Sequence, residues 1–205
     1  MKTALSLAAV LFASAAHAEA GWTQGPPLAE GIDAFPRLTA ADAAAQKINA
    51  KFAAMDADEM EWLVDCDGGR GIAVTAETAD FLSLTVERGG YCEGAAHPFH
   101  DTEAMTFDRM SGDEADWPTL LPKALLNPAA GDYEPTDPHR SAALSAAYLA
   151  ALPDPQPDCD DTYARPLNFE FWLEGGQKAL AFAPTNLAYV ETACIEVAYL
   201  PLSQL

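Results

Sequence analysis

From Ala40 to Met55, apolar residues recur at three-to-four spacing. Ala44, Ala45, Ile48, Phe52 and Met55 fall near one face and predict an amphipathic helix. Thr39 with Asp42 resembles a capping box, with Asp in the place usually held by Glu. Ahead of that helix, residues 19–38 are rich in Gly and Pro and predict an extended N-terminal arm or edge strand. Beyond it the period falls to two. Met60 to Cys66 predicts a strand closed by a turn over Gly68 to Gly71, and Ile72 to Thr75 predicts another. In Phe81 to Arg88, Leu82, Leu84 and Val86 alternate with Phe81, Ser83, Thr85 and Glu87, the pattern of a half-buried strand.

Gly89 to Asp101 carries glycines, Pro98 and two histidines, which is loop chemistry. Met105 to Arg109 predicts a short strand before a turn at Ser111-Gly112-Asp113. Asp116 to Leu126 predicts a turn with a short helix, and Asn127 to Pro138 a polar loop. His139 to Leu152 is Ala-rich and stopped by Pro153, so it predicts a second helix, followed by a stiff connector from Pro153 to Pro157. Leu167 to Leu173 and Lys178 to Ala183 flank a turn at Glu174 to Gln177, and Cys194 to Leu200 predicts a last strand. Two main helices among six or seven hairpin-linked strands predict an α+β fold. Its frame is a mainly antiparallel sheet with two principal helices packed on it.

The first residues change the setting. Lys2, the apolar run from Ala4 to Ala16 and the A-x-A signal Ala16-His17-Ala18 predict a secretory signal peptide over 1–18, cut after Ala18. The expected mature chain is periplasmic or secreted, with a single α+β domain over 32–205. No later segment reaches the roughly 20 apolar residues of a membrane span. Cutting off residues 1–18 removes Lys2 and moves the formal charge from −20 to about −21. Such a surface repels nucleic-acid phosphates and anionic membranes and attracts cationic partners. Four cysteines in an exported chain, Cys66, Cys92, Cys159 and Cys194, predict two disulfides in one of three pairings. No C-x-x-C pair is present, which argues against a zinc knuckle or a thioredoxin-type site.

Catalytic signatures are sparse: no G-x-S-x-G, H-E-x-x-H, S-x-x-K, Walker A or Rossmann glycine pattern occurs. The densest stretch is Tyr91 to Asp101, which supplies the candidate binding residues Tyr91, Glu93, His97, His100 and Asp101. His97, His100 and Asp101 have metal-ligand chemistry, but Pro98 blocks a shared helical face and an extended chain sends residues three apart to opposite sides. The plainer reading is a tight loop whose His97 holds backbone groups, pinned by Cys92. No metal or cofactor is assigned. On Phe169 to Trp172, Phe169 and Phe171 share one face and Trp172 takes the other.

Four segments then occur in a recognisable order. Lys47-Ile48-Asn49 ends a helix motif, and Leu82 to Val86 runs into Gly94-Ala95-Ala96-His97-Pro98. Met105-Thr106-Phe107-Asp108 precedes a Ser-Gly turn, and Cys194 to Tyr199 closes a hairpin. This order resembles the RsiV-like extracytoplasmic domain family, over roughly residues 32 to 203. It is also similar to the accessory domain of PdaC-type peptidoglycan deacetylases. Ala95 stands where the family pattern has a second glycine. The resemblance implies a non-catalytic binding module for a cationic cell-wall hydrolase such as c-type lysozyme, or for a cell-wall glycan. The competing expectations are a glycan-directed hydrolase or deacetylase using acidic residues with His97 or His100, and a structural envelope protein.

Overall fold

Asp42 starts the first helix: its carboxylate accepts the Ala45 N–H at 2.8 Å. Thr39, the expected cap, donates its hydroxyl to the Gly21 carbonyl instead. The computed structural model describes residues 21–204 except 63, 65, 127–140, 153–155, 166 and 186. The expected signal peptide, the polar loop 127–138 and most of the Pro-rich connector therefore lie outside the described residues.

Helix α1 runs Ala43–Trp62, about two turns beyond the predicted end. Its buried stripe continues past Phe52 through Asp56 and Glu59, which are 6 % exposed each. A polar pair extending an apolar face is invisible to hydrophobic periodicity, so Met60 to Trp62 belongs to the helix and not to a strand. The strand begins only at Cys66, and the glycine run expected to turn lies inside it.

In chain order the strands are β1 (Trp22–Thr23), β2 (Arg37–Leu38), β3 (Cys66–Glu77), β4 (Phe81–Cys92), β5 (Phe99–Asp108), β6 (Asn168–Glu174), β7 (Ala179–Thr185) and β8 (Ala198–Pro201). β1 and β2 pair with each other, and Ile32 makes a parallel bridge to Arg70 at the edge of β3. The arm is extended, yet Ile32, Phe35 and Leu38 are core residues. β3, β4 and β5 form one antiparallel sheet in that order. Gly68 and Gly69 of β3 pair with Gly90 and Gly89 of β4. A Cβ at Gly90 would stand 2.3 Å from the Asp67 carbonyl oxygen, so the backbones approach too closely for any side chain. Gly89 to Cys92 and Phe99 to Asp101, expected as loop, are thus paired strand, and the connection shrinks to 93–98.

One face of this sheet carries Leu82, Leu84, Val86, Met105 and Phe107 against Ile48 and Phe52 of α1 and Phe35 of the arm. Phe52 stacks on Phe35 and meets Phe107 edge-on. Asp108 then closes the chain into a turn by accepting the Met110 and Ser111 N–H groups, which hold its carboxyl below the ordinary range.

Short helices α2 (Trp117–Leu120) and α3 (Lys123–Leu126) follow, then α4 (Ala142–Ala151), capped by the Ser141 hydroxyl, and α5 (Asp160–Tyr163). β6, β7 and β8 make the second antiparallel sheet. Its outer face, Phe169, Phe171, Leu180 and Phe182, packs on Leu144 and Tyr148 of α4. Cys194 to Val197 was expected in the last strand. Instead Tyr189–Cys194 is a 3-10 helix and β8 is short. Phenol hydroxyls take over the backbone there: Tyr163 donates to the Cys194 carbonyl and Tyr148 to that of Glu196, each at 3.0 Å.

The α+β fold is therefore the expected antiparallel framework with two principal helices packed on it, its main strands divided between two three-stranded sheets that lie face to face, beside the small β1–β2 ribbon. Disulfides join Cys66 to Cys92 and Cys159 to Cys194. Among the described residues, no helix is long and apolar enough to cross a membrane.

Candidate functional site, an acidic cleft between the sheets

The inner faces of the two sheets meet at one end and part at the other. Where they meet, the Ser83 hydroxyl accepts the Leu173 N–H at 2.9 Å and pairs with the Thr106 hydroxyl at 2.7 Å. The Gly175 N–H reaches the Thr75 carbonyl at 2.9 Å. Trp172, Ala181 and Ala183 pack beside them against Ala104. Where they part, a cleft of about 700 Å³ opens.

Strand alternation decides what faces this space. On β6, Phe169 and Phe171 turn to the core, so Glu170, Trp172 and Glu174 turn to the cleft. The first sheet contributes Thr75, Thr85, Glu87, His100, Asp101 and Thr102. His100 lies over Gly89 across the ladder, where the missing side chain leaves room for the imidazole. Two strands over on the same face of the second sheet the lining turns apolar: Ile195, Val197 and Tyr199 stand at alternate positions of an extended segment, each 37 % exposed, with Tyr199 in one cross-strand row with Ala181 and Trp172.

Charge distinguishes this cleft from the other acidic cluster of the molecule. Asp56 and Glu59 are neutralised: Arg70, fully buried, donates to Asp56 at 2.6 Å and Glu59 at 3.2 Å, Arg37 adds a second pair to Asp56, and Arg88 a second to Glu59. Arg70 also donates to the Asp33 carbonyl and lies over the Phe35 ring. That network ties arm, helix and sheet together. In the cleft, by contrast, none of Glu87, Asp101, Glu170 and Glu174 is ion-paired among the described residues. Burial, with the charges of Glu103 and Asp101 beside it, pushes the Glu170 carboxyl up to about 7, partly offset by the Ala104 N–H. The Oγ1 of Thr75 is buried without a hydrogen-bond partner.

The five residues expected to form a site divide. His100 and Asp101 reach the cleft, from β5 and not from a loop. Tyr91, Glu93 and His97 lie at the exposed hairpin end. Tyr91 donates its hydroxyl to the Ala95 carbonyl at 2.8 Å, and His97 holds the Pro98 carbonyl through Nδ1. The His97 ring stacks on Tyr189, with centroids 4.1 Å apart, and so ties the hairpin tip to the second sheet's last connection. Glu87, Glu170, Glu174, Trp172 and Tyr199 were not singled out as site residues. The alternation of Glu170, Trp172 and Glu174 against two phenylalanines was the available signal. No three His, Cys, Asp or Glu side chains among the described residues lie close enough to hold a metal ion. Compared with known proteins, no family model matches the chain, and no curated protein matches its sequence.

Proposed function

We propose that this chain is an exported, RsiV-like binding domain that captures a cationic cell-wall hydrolase such as c-type lysozyme in the cleft between its sheets. The observation that carries the reading is four cleft carboxylates with no cation among the described residues to neutralise them. A cationic group entering there gains charge-assisted bonds at little cost to existing pairs. The surplus of acidic groups over the whole chain steers a basic partner toward the surface, while the cleft supplies shape. Tyr199 adds aromatic surface for a cation or a sugar ring.

The test is a salt-series titration of the oxidised protein against c-type lysozyme, with lysozyme activity followed in parallel. Saturable binding that survives about 150 mM salt, where charges more than about 8 Å apart are screened, and falls at least about tenfold in Glu87→Gln/Glu174→Gln is expected. Binding that disappears with salt, or is indifferent to the double variant, overturns the cleft as the site.

A second reading draws on Glu170 itself. A carboxyl held protonated near neutral pH beside other carboxylates is the pattern of a general acid in glycan hydrolysis. Turnover of peptidoglycan or chitooligosaccharide, lost in Glu170→Gln with the fold intact, would replace the binding reading with that one.

A further inference from the structure

We infer that the two sheets are separately built halves whose seam loosens when Glu170 loses its proton, a conformational device that goes beyond the binding reading and stands whatever the cleft takes. The first half has its own apolar core, where Ile48, Phe52, Leu84 and Phe107 meet, and its own disulfide, Cys66–Cys92. The second is built on Leu144, Tyr148, Phe169 and Phe182, with Cys159–Cys194. Among the described residues the two cores share no side chain. The seam between them is thin by comparison. Its buried apolar part is Trp172, Ala181 and Ala183 on Ala104. The Leu173 N–H crosses it to the Ser83 hydroxyl and the Gly175 N–H to the Thr75 carbonyl, while the His97–Tyr189 stack joins the halves at the hairpin tip. Thr75 has no register partner on β4, because the ladder slips between Val74 and Ala76. Its buried Oγ1, without a hydrogen-bond partner, gains water when the seam parts, which lowers the cost of parting.

Glu170 stands on this seam, with Ala183 opposite it on β7 and the Ala104 N–H of β5 at its carboxyl. The ionisable groups around it are mostly acidic. β5 brings Asp101, Glu103 and His100, β4 brings Glu87, β6 itself Glu174, and the segment into β8 brings Tyr199. Arg88 of β4 is held by Glu59 and Glu103. The closed seam keeps Glu170 from water and beside Glu103 and Asp101, which pushes its carboxyl up to about 7; parting returns it to water and toward its ordinary value of 4.5. Ionisation therefore favours the parted form. The closed seam is most secure below about 4.5, and that security is lost as pH rises through about 7. Because each half keeps its own core and disulfide, the seam opens without either sheet unpairing.

The experiment is amide hydrogen exchange of the oxidised, ligand-free mature protein, corrected for the intrinsic pH dependence of exchange. Protection at Leu173 and Gly175, whose N–H groups cross the seam, is expected to fall at least about tenfold from about pH 5 to about pH 8. Leu84 in β4 and Leu180 in β7, each paired on both sides, are expected to keep theirs. Glu170→Gln, neutral at every pH, abolishes the fall. Asp101→Asn, at an exposed position, removes one charge beside Glu170 and shrinks it. Protection at Leu173 and Gly175 that is constant with pH, or that falls as far in Glu170→Gln, overturns the inference. So does an equal loss at Leu84 and Leu180, which is unfolding of the whole chain, or a lack of protection at Leu173 and Gly175 at every pH. Should Glu170→Gln not fold, an undiminished fall in Asp101→Asn overturns it.

Discussion

Glu170 carries the clearest pH signature in the molecule. Its carboxyl titrates at about 7 in the fold, against an ordinary value of 4.5, because burial and neighbouring Glu103 and Asp101 oppose the charged form. The folded state thus binds more protons than the unfolded state between those two values. Stability contributed by this residue is full below about 4.5 and is lost as pH rises through about 7. Thermal unfolding of the native chain and of Glu170→Gln should therefore converge in acid and separate by neutral pH, with the variant the more stable; parallel curves across pH 4–8 would contradict this. Binding of a cationic ligand runs the other way and strengthens as Glu170 ionises. Arg70 supplies the contrasting case. Arg70→Met leaves Asp56 and Glu59 buried with only their outer partners, and should cost about 3–5 kcal/mol in urea unfolding. A change under about 1 kcal/mol would mean that Arg37 and Arg88 suffice. At this scale the sequence was legible where chemistry is local: Asp108 before its Ser-Gly turn, and Lys47-Ile48-Asn49, where Ile48 enters the core and the Asn49 amide grips both backbone groups of Leu38. It was not legible for Arg70, whose partners lie 11 and 14 residues away on another element.

Secondary-structure elements were readable where a single period governs them. The face of α1 through Phe52, the alternation of β4, and the β6–β7 hairpin follow from hydrophobic spacing alone. Two failures share one cause, which is that long-range pairing overrode local preference. Asp56 and Glu59 prolong α1 because an arginine from β3 meets them. The glycine run becomes strand because a second glycine run faces it across the ladder. Gly90→Ala tests the latter: its Cβ would overlap the Asp67 carbonyl and the Gly68 Cα at 2.7 Å. That substitution should destabilise the fold by several kcal/mol and speed amide exchange from Gly89 to Cys92. Gly71→Ala, with open space around its position, serves as the silent control.

Over the whole molecule, the α+β class and the presence of two disulfides could be anticipated, whereas the doubling of the sheet could not. Each sheet is half-buried on its own evidence, and nothing local says that polar inner faces such as Ser83 and Thr106 will meet a second sheet. The cleft inherits that difficulty, since its lining is drawn from six strands and one connection. Opening the Cys159–Cys194 bridge, which spans 35 residues, should cost about 3–4 kcal/mol through the freedom returned to the unfolded chain. Unchanged urea midpoints for Cys159→Ser/Cys194→Ser would show that phenol contacts to the 194–196 backbone hold this corner unaided.

The stack of His97 on Tyr189 bridges two disulfide-held corners of the fold. The hairpin tip leaves the first sheet immediately after Cys92, and the helix bearing Tyr189 ends at Cys194, so each side of the stack is tethered by a different disulfide. The contact therefore joins two corners that are fastened independently, one by each bond. Reduction is therefore expected to loosen this stack before it disturbs the pairing of either sheet, which the ring-proton shifts of His97 and Tyr189 would report.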